Sequence, residues 1–195
     1  GIGSSAFSSS GLTTVTLPNS LTSLGNSAFS SCTDLASISI GSGITEIPYN
    51  CFTGCNALTS VDLPEHVTSI GGSAYSYCNG LVSITLPSSI QAVGASAFAN
   101  CSNLEEVVIP DNVTTLGEKA FQYDSKLKHV QIGKGVATLE KDLFNSCESL
   151  SSVELSEGLT AVKAFVFQYC SSLKTVTFPS TLTTLRNSTT SGWCP

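Results

Sequence analysis

Charge is scarce in this chain, and positive charge is scarcer still. Only 11% of the 195 residues are Asp, Glu, Lys or Arg, less than half of the roughly 25% usual in soluble domains. Residues 1–118 carry eight acids and no Lys or Arg, and all eight basic residues lie between Lys119 and Arg186. Neutralising a phosphate backbone takes clustered Lys and Arg, so nucleic acid is not expected as a partner. Long apolar runs are missing too. No stretch of 18 apolar residues exists, so a transmembrane helix is excluded and this segment is not expected to insert into a membrane. No basic n-region followed by a long apolar h-region marks a signal peptide. Methionine is absent, initiator included, which leads us to expect a processed form or a piece of a longer chain. Histidine occurs twice, as His66 in a turn after Pro64 and as His129. A nucleophile–His–acid constellation needs three converging groups, and neither histidine has dedicated partners in the pattern. No Gly-rich phosphate loop occurs. Catalysis and a bound cofactor are not expected.

Hydroxyls and aliphatics are present in quantity. Ser (33) and Thr (21) supply 54 small hydroxyls, and 41% of the residues are hydrophobic. That apolar share excludes a disordered chain, and the polar surface must be mostly hydroxyl.

The order of these residues is periodic. Leu12, Leu35, Leu58, Leu81, Leu104, Leu127, Leu150 and Leu173 stand 23 residues apart, as do Leu21, Ile44, Val67, Ile90, Val113, Val136, Leu159 and Leu182. An aromatic column runs Phe29, Phe52, Tyr75, Phe98, Phe121, Phe144 and Phe167, with Phe7 joining after one deletion. Cys32, Cys55, Cys78, Cys101, Cys147 and Cys170 follow it, interrupted by Asp124. Each unit opens with an apolar–polar alternation such as Val15-Thr16-Leu17, the pattern of a half-buried strand. It recurs through Val153 to Leu155 and Val176 to Phe178, and Pro18, Pro64, Pro87, Pro110 and Pro179 end five of these strands. A second short extended piece follows, as at Leu21 to Leu24. The Ser-Ala-Phe-Ser-Ser-Cys stretch is expected to make one helical or 3₁₀ turn. One 23-residue unit cannot bury its apolar side alone, whereas stacked units share a continuous core. The expectation is a solenoid of about eight turns over residues 1–185, with a partial first turn at 1–11.

This pattern resembles the BspA-type leucine-rich repeat, seen in the run from Leu58 through Pro64 to Ile70-Gly71 and again in Ala97-Phe98-Ala-Asn-Cys101. The likeness covers about residues 4–185. It implies a right-handed leucine-rich-repeat solenoid with mainly short parallel β-strands. It also implies an extracellular or cell-surface setting and a non-catalytic role in protein binding or adhesion. An extracellular matrix protein or another cell-surface protein would be the partner, with carbohydrate as a further option. A structural subunit packing within a larger assembly is the alternative. The resemblance carries no catalytic residues over.

Eight cysteines invite a disulfide or zinc reading. Six occupy one repeat position, where they should face inward as small hydrophobes. Parallel side chains of an in-register ladder suit bridging poorly, and the closest pair, Cys51 and Cys55, has no second pair to complete a zinc site. No metal is expected. Cys194 alone is a candidate exposed thiol.

Binding residues are sought on the outward strand columns, because solenoids bind on their concave sheet. These columns are mostly hydroxyl in the first four repeats. Departures from that background are Asp62, Glu106, His129, Gln131 and Glu154, which we take as candidate ligand contacts. A second candidate is an aromatic row, Tyr77, Tyr123 and Tyr169, one before the Cys column in every second turn. It could serve as a stacking platform for sugars or a partner protein, or simply pack against neighbouring turns. Thr22, Thr45, Thr68, Thr114, Thr160 and Thr183 form a further ladder, broken at Gln91 and Ala137, and so match an ice-binding Thr array incompletely. The ends should be capped. Residues 186–195 lose the repeat and are expected to fold over the last turn with Trp193 as plug. Residues 1–11 look like a poor cap, so further repeats or a partner are expected upstream.

Overall fold

A computed structural model of the chain describes residues 1–186. Fourteen short strands lie along it: β1 (Thr14–Thr16), β2 (Ser37–Ser39), β3 (Glu46–Ile47), β4 (Ser60–Asp62), β5 (Ser69–Ile70), β6 (Ser83–Thr85), β7 (Ala92–Val93), β8 (Glu106–Ile109), β9 (Thr115–Leu116), β10 (His129–Ile132), β11 (Thr138–Leu139), β12 (Ser152–Leu155), β13 (Ala161–Val162) and β14 (Thr184–Leu185). Every pairing is parallel and joins residues 23 apart, as in Val15↔Ile38, Val130↔Val153 and Val93↔Leu116. The longer strands stack as β1-β2 and as β4-β6-β8-β10-β12, and the two-residue strands as β3-β5-β7-β9 and β11-β13-β14. The molecule is thus a parallel β-solenoid of about seven turns. The strands form where alternation was read, starting one residue earlier. Residues 176–178 are the exception and form no strand.

The third side of each turn differs from expectation. No helix or 3₁₀ segment forms there. Two residues four positions apart take positive φ in turn after turn: Ser27 (58°) and Ser31 (59°), Ser96 (56°) and Asn100 (63°), Asp142 (59°) and Ser146 (63°). Hydrogen bonding gives the reason. Ser27, Phe29 and Ser31 donate their N–H groups forward to Tyr49, Cys51 and Thr53 of the next turn, at 2.9, 2.9 and 2.7 Å. The intervening Ala28, Ser30 and Cys32 donate locally, three residues back. A helix would spend every N–H inside its own turn. Left-handed residues turn every second one toward the neighbour, so this side is a third inter-turn ladder and no backbone donor is stranded.

Side chains fill the interior as columns. Phe7, Phe29, Phe52, Tyr75, Phe98, Phe121, Phe144 and Phe167 form one stack of rings, with neighbouring centroids 5.3–5.9 Å apart and planes within 18°. The Leu, Ile and Val columns pack against it in a single continuous core. Turns approach closely at the Gly column, where a Cβ on Gly117 would sit 2.4 Å from the backbone nitrogen of Ala95. Only glycine fits such contact without displacement. Among the described residues no helix is long and apolar enough to cross a membrane. The expected tail cap, Trp193 and Cys194 lie outside the described residues.

Candidate functional site

Strand register decides which of the candidate residues meet. Glu106, His129 and Ser152 are successive partners across β8, β10 and β12, and Val108, Gln131 and Glu154 form the parallel row two residues on. Four of the five candidates, Glu106, His129, Gln131 and Glu154, therefore share one patch. His129 Nε2 lies 3.9 Å from Glu154 Oε1, with Glu106 opposite on the other flanking strand. Asp62 does not join them. It sits at the end of β4, paired with Thr85, and β6 separates it from β8.

The patch has two further members. Val108 is 46% exposed at its centre, an apolar side chain in a column otherwise polar. Its departure from hydroxyl was legible in the column and is as large as that of the charged residues. On the β8–β10 edge Lys128 Nζ lies 2.8 Å from Glu105 Oε2. Hydrogen bonding to Lys128, and then its charge, hold the Glu105 carboxyl below its ordinary range. Other lysines behave alike: Lys134 pairs with Asp111 at 3.2 Å and Lys163 with Glu140 at 2.5 Å, each acid 23 residues earlier. Lys126 donates to Asn103 Oδ1 over the same interval. Lys126, Lys128, Lys134 and Lys163 thus staple successive turns.

The cysteines are core. Within the described residues Cys32, Cys51, Cys55, Cys78, Cys101 and Cys147 are free thiols, and these and Cys170 are all buried. Each Sγ of the main column donates to the aromatic residue's carbonyl one turn earlier, from Cys55 to Phe29 at 3.3 Å through Cys170 to Phe144 at 3.1 Å. Burial pushes the Cys51 and Cys78 thiols up to about 12. Neutral thiols of this kind are poor nucleophiles and poor metal ligands. Among the described residues no group of His, Cys, Asp and Glu is placed to hold a metal.

Asp124 takes the thiol's place in one turn and is fully buried. Its Oδ1 accepts from the N–H of Cys101 at 2.8 Å, while Oδ2 has no partner. Burial raises this carboxyl well above its ordinary value, opposed by the Cys101 hydrogen bond. The Thr ladder is committed internally as well. The hydroxyls of Thr68, Thr114, Thr160 and Thr183 donate to carbonyls 23 residues back, at 3.0–3.4 Å.

The aromatic row stands on the third side, away from the strand patch. Tyr77, Tyr123 and Tyr169 are 55%, 50% and 61% exposed. All three adopt positive φ, 59°, 66° and 61°. Tyr49, also exposed, was not singled out by the sequence because it lies outside that column; its ring covers Gly72.

A family model for the BspA-type leucine-rich repeat region matches in six copies, over residues 1–128 and 68–192. The chain belongs to this family. Among solved structures, the leucine-rich-repeat protein of T. pallidum is 28% identical, with a TM-score of 0.78, covering 87% of this chain and 79% of its own. A leucine-rich cell-surface protein of Faecalibacterium prausnitzii A2-165 is 27% identical with a TM-score of 0.62, over 79% of this chain and 50% of that one. The pneumococcal vaccine antigen PcpA shares the fold at 20% identity and a TM-score of 0.55, over 89% of this chain and 58% of that one. A search of curated proteins finds no significant match. BspA-type repeats are thus the scaffold on which the strand patch and the tyrosine row are displayed.

Proposed function

We propose that the chain is a non-catalytic protein-binding module of a surface or secreted protein, and that the β8–β10–β12 patch is its contact. The observation that carries this is the in-register grouping of Glu106, His129, Gln131 and Glu154 around exposed Val108. An apolar centre rimmed by polar and charged groups is the ordinary anatomy of an interface. The rest of that sheet, from β4 to β6, offers mainly Ser and Thr. Resemblance to a cell-surface protein and to a vaccine antigen supports an extracellular setting. A matrix or cell-surface protein is the partner class. The test is binding of the chain to a panel of immobilised matrix proteins, repeated with Val108→Ser, Glu106→Ser and Glu154→Ser combined. Serine is the residue these columns already use elsewhere, so the fold is kept. The expected result is saturable binding to a panel member that falls at least tenfold in the triple variant. No binding by the parent, or equal binding by the variant, overturns the reading.

The exposed ring of Phe7, 41% accessible at the first turn, favours a second reading. In it the chain packs end-on within a larger assembly. Concentration-dependent association lost in Phe7→Ser would support it, and a monomer at all concentrations would remove it.

A further inference from the structure

The tyrosine row shares no residue with the strand patch and has a geometry of its own. Its column reads Ser9, Ser31, Gly54, Tyr77, Asn100, Tyr123, Ser146 and Tyr169, and every member has φ between 57° and 74°. Serine, glycine and asparagine are unremarkable there, since small or locally hydrogen-bonding residues tolerate the left-handed region. A bulky aromatic is a costly choice there, made also at Phe165 (64°) of the sister column, and it persists only where the surrounding structure holds it in place. Here it does: the N–H of Tyr77 donates to Ala99 O and that of Tyr123 to Asn145 O, both at 2.9 Å. The ring is not held there to fill the core, because about half or more of each residue is exposed.

Tyr alternates with a small polar residue. Neighbouring rings of the aromatic stack are 5.3–5.9 Å apart and neighbouring strands about 4.8 Å, so tyrosines two turns apart recur about every 10–12 Å. Asn100 and Ser146 floor the intervals, half-buried. The column carries no charge. A flat ring with a polar tip every second turn, and amide or hydroxyl groups between, suits a ligand with apolar faces and many hydroxyls.

We propose that Tyr77, Tyr123 and Tyr169 form a binding row for a neutral β-1,4-linked glycan. In such a polymer the same sugar face recurs every second residue, about the spacing of neighbouring tyrosines. One sugar stacks on each ring, and the sugar between meets Asn100 or Ser146. A polyproline II segment repeats at about 9 Å per turn, so spacing alone does not separate the two classes, but its proline side chains carry no group that can bond to the polar floor.

Isothermal titration of the chain with cellohexaose, chitohexaose and their disaccharides tests this, with decaproline as the competing class. One hexasaccharide should bind at least tenfold more tightly than its disaccharide, since only the longer probe spans two tyrosines. Tyr123→Asn should weaken it at least fivefold with Tm unchanged or raised, because the column already uses asparagine one turn earlier. Tyr77→Gly, which repeats the glycine the column carries at Gly54, should do the same and keeps the test valid should the first variant misfold. The proposal is overturned if neither hexasaccharide binds at millimolar concentration, if length makes no difference, if both folded variants bind like the parent, or if decaproline binds and the glycans do not.

Discussion

Asp124 is the residue most at odds with its surroundings. It interrupts a column in which thiols donate to carbonyls, and its buried Oδ2 has nothing to bond. A carboxyl whose folded pKa is raised stabilises fully below its unfolded value of 3.8 and loses that contribution as pH rises through the folded value. Proton uptake on folding should therefore be measurable above pH 4. Asp124→Cys restores the column and removes an unsatisfied buried acceptor, a defect worth about 1–3 kcal/mol. Urea melts at pH 7 should show the variant more stable by about that amount, and the gain should shrink toward pH 4. Equal stability at both pH values would mean that Asp124 is satisfied in a way its geometry does not reveal.

Among elements, the ring stack carries the largest single contributions. Phe98 is fully buried between Tyr75 and Phe121, at 5.3 and 5.5 Å. Phe98→Ala should cost about 3–5 kcal/mol, mostly from the cavity left between its neighbours. Pairing it with Phe121→Ala should be non-additive, while pairing it with distant Phe29→Ala should be additive. Chemical denaturation of the single and double variants decides this. The columns were legible because each turn meets only its neighbours, so one spacing accounts for Leu35, Phe98 and Val130 alike. The long strands were legible because Ser60-Val61-Asp62 alternates with the pleat. The third side was not. Ser27-Ala28-Phe29 reads equally well as a helical turn, and only the bonds to Tyr49 and Cys51 of the next turn select left-handed residues instead. The tyrosines share one column for the same reason, a fixed spacing of 46 residues. Their positive φ had no signal in residues that ordinarily avoid it.

At the scale of the molecule, the sparse charge becomes orderly. The bases begin only at Lys119, so the C-terminal turns differ chemically from the earlier ones. Four of the eight reach back one turn, Lys126 to Asn103, Lys128 to Glu105, Lys134 to Asp111 and Lys163 to Glu140. Such pairs could not be anticipated without knowing that residues 23 apart are adjacent. The proposed patch was half legible: Glu106, His129, Gln131 and Glu154 stood out by chemistry, but their separation from Asp62 depends on strand order. Contacts confined to neighbouring turns make the solenoid a one-dimensional object, in which local damage spreads by fraying and not by collapse of a centre.

The buried thiols give that object a direction in time. While folded, the seven described cysteines are sealed in the core and spaced along a rod. Complete unfolding exposes all of them in one flexible chain, where random oxidation to disulfides over seconds to hours traps any chain that stays unfolded. In an oxidising medium each complete unfolding event should then be irreversible. Native protein should leave these seven thiols untouched by a thiol-reactive dye. Refolding from urea should be nearly complete with reductant and fail progressively with time spent unfolded in air. A full recovery in air would show that restacking outruns oxidation. Otherwise the solenoid works as a one-way latch, whose lifetime is set by how rarely it opens.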